Sequence, residues 1–296
     1  MATIKIMSIA LVLQILIAAT IWLTSEDELN NSPTQLLSMS PDSISSLTIT
    51  GDENSLLAFE KRGDSWQLAS GLPLDKDKFE RILDKLFTTK VGWPVATSDS
   101  AASRFEVAKD NYQRLVTLTG SQGTKEVYFG TSPSFRQSHV RLGSEEEIYA
   151  IEFANYEAST NEDDWFDKGL LQPKGELSSV QKPTSWELRS TSNGWLVDDQ
   201  PVNFEAVTDL LNRIKTLRVD NIIEKKVGDK LFELRLVDGE GDFSLLVGLI
   251  EEDSYWISSS RRSEVFKLPA YIAQALDVEG ASFYPVAEEP LETLID

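Results

Sequence analysis

Residues 65–86 read SWQLASGLPLDKDKFERILDKL, and residues 194–214 read GWLVDDQPVNFEAVTDLLNRI. Each stretch opens on a Trp within a short strand-like run, passes a Pro and a polar step carrying Asp or Asn, and ends in apolar residues at helical spacing. In the first, Asp75 stands where a helix cap belongs, and Phe79, Ile82, Leu83, Leu86 and Phe87 fall at i, i+3, i+4, i+7 and i+8. In the second, Asn203 is the cap and Phe204, Val207, Leu210, Leu211, Ile214 and Leu217 make the stripe.

The flanks repeat as well. ISSLTITG (44–51) and LLAFEKRG (56–63) precede the first helix as strands, and SWELRSTS (185–192) precedes the second. RLVTLTG, KEVYFG, HVRLG and EIYAIEF follow the first; LFELRLVDGEGDFSLLVGL, YWISSS and EVFKLP follow the second. Trp66 and Trp195 are 129 positions apart, and the pairs Pro73/Pro201, Leu83/Leu211, Leu86/Ile214 and Val91/Val219 are 128 apart. After the helix, Leu118/Leu236 and Gly130/Gly248 are 118 apart, so one ten-residue difference lies near DSAASRFEVAKD (99–110). Agreement in order, period and spacing predicts a tandem duplication of one α+β unit, an antiparallel sheet with an inserted amphipathic helix. The expected division is residues 42–175 and 176–283, separated near Gly169, Pro173 and Gly175, with an acidic tail over 284–296.

The first 25 residues differ from the rest. Residues 6–23, IMSIALVLQILIAATIWL, form an 18-residue run interrupted only by Ser8, Gln14 and Thr20. A helix of that length covers about 27 Å, close to the ~30 Å hydrocarbon core. Lys5 precedes the run and Glu26, Asp27 and Glu28 follow it, which predicts an anchor over 1–25 with its start in the cytoplasm and the remaining chain outside. A cleaved secretory signal is the competing reading; it delivers the same compartment. Residues 26–41 are expected to be a linker.

With 48 acidic against 28 basic residues the net charge is −20, which argues against nucleic-acid partners and against lying on an anionic membrane surface. The absence of Cys removes thiolate metal sites, thiol nucleophiles and disulfides. The one histidine, His139, has no second His for a zinc site and no apparent triad partners. Asp163 and Asp164 beside Trp165 suggest an acid-pair hydrolase only weakly, because catalytic carboxylates must flank a bond. The runs DGEGD (238–242) and EED (251–253) lack the ligand spacing of a calcium loop, and a hairpin turn explains the first better. No catalytic residue, metal or cofactor is therefore expected. Candidate partner contacts are a basic spot of Arg136, His139 and Arg141, together with Trp165 and Trp256 as exposed anchors; Trp93 is a further candidate for exposure, and Trp66, Trp186 and Trp195 are expected in cores.

The stretch SRFEVAKDNYQRLVTLTGSQGTKEVYFGTSPSFRQSHVRLGSEEEIYAIEF (103–153), followed by DDWFDKGLLQP (163–173), resembles the exported family called domain of unknown function 4340. The resemblance is carried by a strand ending in a Gly-Thr-Ser turn (127–132), an HVR strand (139–141), an IYAI strand (148–151) and a WFDKGLL segment (165–171). It implies a membrane-anchored, extracytoplasmic protein of a bacterial cytoplasmic membrane, associated with ABC-type transport systems like that of gliding motility. It implies no catalytic residue. The expected function is thus a non-catalytic accessory or scaffold protein binding protein partners of such a complex. The alternatives are a cell-envelope glycan- or peptide-binding module and, behind it, the hydrolase.

Overall fold

The computed structural model describes residues 14, 15, 17, 19–20, 33–51, 55–223, 228–251 and 253–285. The predicted anchor over 1–25 lies outside the described residues apart from five positions, and so do the start of the linker and most of the acidic tail. Among the described residues no helix is long and apolar enough to cross a membrane. The chain is α+β, with antiparallel sheets and few helices, and divides into two compact units, Met1–Trp165 and Phe166–Asp296.

The first unit runs β1 (Thr34–Gln35), β2 (Ile44–Thr50), β3 (Leu56–Arg62), β4 (Ser65–Leu68), α1 (Lys76–Thr88), β5 (Lys90–Val91), α2 (Asp99–Arg104), β6 (Val107–Ala108), β7 (Asn111–Tyr112), β8 (Arg114–Gly120), β9 (Gly123–Phe129), β10 (Ser138–Leu142) and β11 (Ile148–Ile151). Its main sheet has the order β11-β10-β9-β8-β2-β3-β4. Two meanders thus meet where β2 pairs with β8, and α1 is the connection between them. The helix starts where Asp75 accepts a hydrogen bond from Lys78 N at 3.0 Å. It buries Phe79, Ile82, Leu86 and Phe87, and Phe79 meets Phe59 and Trp66 with ring centroids 4.9 Å apart in both cases. Trp165 closes this core with no exposed surface, edge-on to Phe59.

The second unit runs β12 (Ser179–Lys182), β13 (Trp186–Thr191), β14 (Gly194–Val197), β15 (Gln200–Pro201), α3 (Phe204–Lys215), β16 (Ile222–Ile223), β17 (Lys230–Asp238), β18 (Gly241–Glu251), β19 (Ser254–Ser259), β20 (Val265–Leu268) and α4 (Ala270–Leu276). Its sheet has the order β15-β14-β13-β12-β17-β18-β19-β20-β16. Leaving out the two short edge pieces, β14-β13-β12-β17-β18-β19-β20 follows the strand order of the first sheet step for step. Registers correspond too: Leu118 lies opposite Leu47, and Leu236 opposite Val180. Asn203 caps α3 by accepting from Ala206 N, and its own N–H donates to Phe283 O at 2.7 Å, just as Asp75 N–H donates to Trp165 O at 2.7 Å.

The structure puts the division between Trp165 and Phe166, ten residues before the expected boundary at Gly175. The reason is that each unit begins with a Leu pair tucked beneath the end of its helix. Leu36 and Leu37 are buried and Leu36 N donates to Thr89 O, while Leu170 and Leu171 are buried and Gln172 Nε2 donates to Leu217 O. The final part of the expected linker is accordingly structural: β1 pairs with β5, and Met39 is buried. The ten-residue difference is also given a shape. α2, β6 and β7 form an insertion with its own small core of Ala101, Ala102, Val107, Tyr128 and Ile148.

Candidate functional site

His139 is 7% exposed, on β10 opposite Ala150, with its ring stacked on Phe105 of the insertion at 4.1 Å. Its Nδ1 lies 2.9 Å from both the hydroxyl and the carbonyl oxygen of Thr131. A carbonyl only accepts, so Nδ1 carries the hydrogen in that bond. Burial pushes the imidazole below its usual pKa and nearby Arg104 adds to this, against the Thr131 carbonyl. Arg141, two residues along the strand, donates from Nε to Val107 O at 2.8 Å and stands 5.1 Å from the Tyr128 ring. Both side chains therefore hold the insertion. Arg136 is exposed in the loop before β10 with a left-handed backbone, φ 57°, so the three do not form one free basic spot. Tyr128, beneath the insertion, is pushed up to about 12 by burial first and then by its 2.9 Å hydrogen bond to Glu126.

A pH dependence follows for the His139 site. A depressed pKa in the folded state means that the unfolded chain binds the proton more readily, so stability is complete above the ordinary value near 6.5 and falls as pH drops below it. Urea midpoints of wild type should fall on going from pH 7.5 to pH 5.5 by more than those of His139→Gln. Equal falls would show that His139 does not contribute.

The expectation that Trp165 and Trp256 are exposed anchors is corrected: they are 0% and 3% exposed. Trp165 points inward because it tops the core above Phe59, its Nε1–H donating to Ser159 O at 2.9 Å. Trp256 lies opposite Gly248, and a Cβ on that glycine would sit 2.3 Å from its ring. In the first unit the pairing that corresponds places His139 opposite Gly130, where a Cβ would stand 1.9 Å from Phe105 O. The two glycines thus allow close coverage of the same face of each sheet. Of the Trp residues expected in cores, Trp186 is 2% exposed and Trp66 and Trp195 are half-buried; Trp93 is 66% exposed.

The turn DGEGD holds the most tightly fixed charge. Asp238, with a fully buried side chain, accepts both guanidinium nitrogens of Arg261 at 2.7 Å, and also Lys174 N at 2.6 Å and Glu240 N at 2.9 Å. These bonds, Arg261 foremost, hold its carboxyl well below the usual range. Asp163 and Asp164 belong to one turn of 3-10 helix (Glu162–Asp164), where Asp164 accepts from Ser159 Oγ at 2.6 Å. Among the described residues no three His, Cys, Asp or Glu side chains group as metal ligands.

The second sheet has an open concavity of about 470 Å³, lined in part by Ser179, Gln181, Glu187, Glu233, Arg235 and Ser244. Two of its acids are paired with bases along the same strands: Glu233 with Arg235 at 2.9 Å, and Glu187 with Arg189 at 3.1 Å; Asp242 also lines it. Bonds from Arg235 and Lys230 lower the Glu233 carboxyl. This surface offers hydroxyl, amide and compensated charge, which suits hydrogen bonding to an extended polar chain.

The fold and these groups define an α+β protein of two antiparallel-sheet units, in which the fixed ionisable side chains fasten turns and an insertion. The chain belongs to the family described as Domain of unknown function (DUF4340), whose family model matches residues 66–231, more than half its length, from β4 of the first unit into β17 of the second. No curated protein and no solved structure matches the chain.

Proposed function

We propose that the chain is a non-catalytic binding protein, held at the outer face of a bacterial cytoplasmic membrane by residues 6–23, whose two units are copies of one module and engage protein partners of an ABC-type transport complex. The observation that carries the binding reading is the open, hydrogen-bonding face of the second sheet, lined by Ser179, Gln181, Ser244 and the paired Glu187 and Glu233. The strand order common to both sheets supports duplication. The apolar run followed by Glu26, Asp27 and Glu28 supports the anchor. The transport association rests on the family resemblance alone.

The test is cross-linking in native membranes, followed by gentle solubilisation and identification of what is attached. Recovery of a defined complex containing membrane transport subunits is the expected result. The full-length chain migrating alone, or a C-terminal reporter active only in the cytosol, overturns it. The same hydroxyl and amide lining favours a glycan or peptide ligand as the second reading. Retention on a cell-wall glycan matrix, abolished by Gln181→Ala with Ser244→Ala, would decide for that reading.

A further inference from the structure

Beside the stripe it buries, helix α1 carries an outward row that meets the core at Phe87. Glu80, Leu83, Asp84 and Phe87 fall at i, i+3, i+4 and i+7, and with Met39 and Pro41 they line a groove of about 400 Å³. Its floor is apolar and its rim acidic. Glu80 and Asp84 are exposed, and neither has an ion-pair partner among the described residues. Like charges one turn apart weaken a helix, so the fold gains nothing from placing these two together. The second unit shows that it does not need them: 128 positions on, α3 carries Thr208, Leu211, Asn212 and Lys215 in their place.

We propose that this groove docks a basic amphipathic segment of a partner protein, an apolar side chain entering between Leu83, Phe87 and Met39 with Lys or Arg one helical turn away meeting Glu80 and Asp84. Charge selects this occupant over the others. Residues 24–32 carry Glu26, Asp27 and Glu28 with no Lys or Arg, and residues 286–296 carry Glu288, Glu289, Glu292 and Asp296 with none. Neither of these two segments complements the rim. A second copy at net charge −20 is repelled, and so is an anionic membrane.

The proposal deepens the binding reading above by naming the partner's chemistry, and it is tested on the full-length chain in detergent micelles. The probe is a fluorescent amphipathic peptide of about 14 residues, Leu and Lys at helical spacing, with a Leu and Glu counterpart. Anisotropy titration should show binding of the Lys peptide alone. Glu80→Lys with Asp84→Lys should weaken it about tenfold, whereas Glu145→Lys with Glu146→Lys, the same change in net charge on an exposed loop of the same unit, should change it by less than about twofold. A photo-cross-linking residue at Leu83 should capture the peptide and one at Leu211 should not, a readout that leaves the acidic pair untouched. Equal losses in both charge-reversed pairs, capture at both positions, or equal binding of the Glu peptide overturns the proposal. Peptide capture at Leu83 without any partner in native membranes removes the transport-complex reading and leaves the groove; a native partner captured with no peptide at Leu83 does the reverse.

Discussion

Trp165→Ala should cost the first unit about 3 to 5 kcal/mol, the range for truncating a large aromatic in a core. The side chain is wholly buried, meets Phe59 edge-on with centroids 4.9 Å apart, and gives its indole N–H to Ser159 O. Lys78 reaches over the ring at 4.6 Å while donating to Asp164 O, so the aromatic face also accommodates a partly buried ammonium whose pKa burial lowers. Truncation leaves a cavity beside Phe59 and opens Ser159 O to water. The backbone bond from Asp75 N to Trp165 O is not touched by the substitution, so the helix cap should survive and the loss should be one of packing. Trp165→Phe keeps one aromatic ring but loses the N–H and part of the indole volume, and should cost less, about 2 kcal/mol. Urea unfolding of both variants checks this. A loss below about 1 kcal/mol for Trp165→Ala would mean that the residue does not close the core.

The second unit explains why phenylalanine is the informative replacement. Phe283 lies 118 positions after Trp165, is fully buried, meets Trp186 at 4.8 Å and gives its carbonyl to Asn203 N. That offset is the one separating Leu118 from Leu236, so the position of the plug was readable in the sequence. Its burial was not, because in DDWF the aromatic follows two acids. In a 3-10 turn successive residues point about 120° apart, so two acids in water and an aromatic in the core are compatible neighbours. Trp256 was obscured differently: burial on the outer face of a sheet depends on Gly248 in the adjacent strand, a pairing known only once the register is known. The helices, by contrast, were largely legible: Phe79, Ile82, Leu86 and Phe87, and Val207, Leu210 and Ile214, are buried as their spacing predicts, whereas Phe204, expected in the second stripe, is 74% exposed because it opens the helix, and Leu83 and Leu211 are half-buried. Gly and Pro near Gly175 mark a turn, whereas the compact units divide earlier, at Trp165 and Phe166, ahead of the buried Leu pair at 170–171 that matches the one at 36–37. Arg136, His139 and Arg141 read as one basic spot because sequence gives proximity along the chain and not direction. On β10 the latter two are claimed by Thr131, Phe105 and Val107.

Asp238→Asn should cost the second unit roughly 3 kcal/mol, the lower end of the ~3 to 5 kcal/mol for breaking a buried ion pair, because a quarter of the Arg261 side chain reaches solvent. The carboxylate accepts four bonds at once, two from Arg261 and two from the backbone of Lys174 and Glu240. An amide has one oxygen, so one of the two sides of this arrangement must face an NH2 group that cannot accept. Arg261, over the Phe243 ring at 4.0 Å, loses its charged partner and keeps at most the one amide oxygen and Gly241 O to receive its donors. Lys174 lies in the segment that enters the second unit, so the effect should extend beyond the hairpin turn to the docking of that segment against β17. The acid limb gives an independent check. The folded-state pKa is depressed below the ordinary carboxyl value of 3.8, so this stabilisation is present above that value and is lost as pH falls below it. Wild type should therefore lose more stability than Asp238→Asn between pH 4.5 and pH 2.5, and parallel unfolding midpoints for the two proteins over that interval would show that the ion pair does not hold the turn.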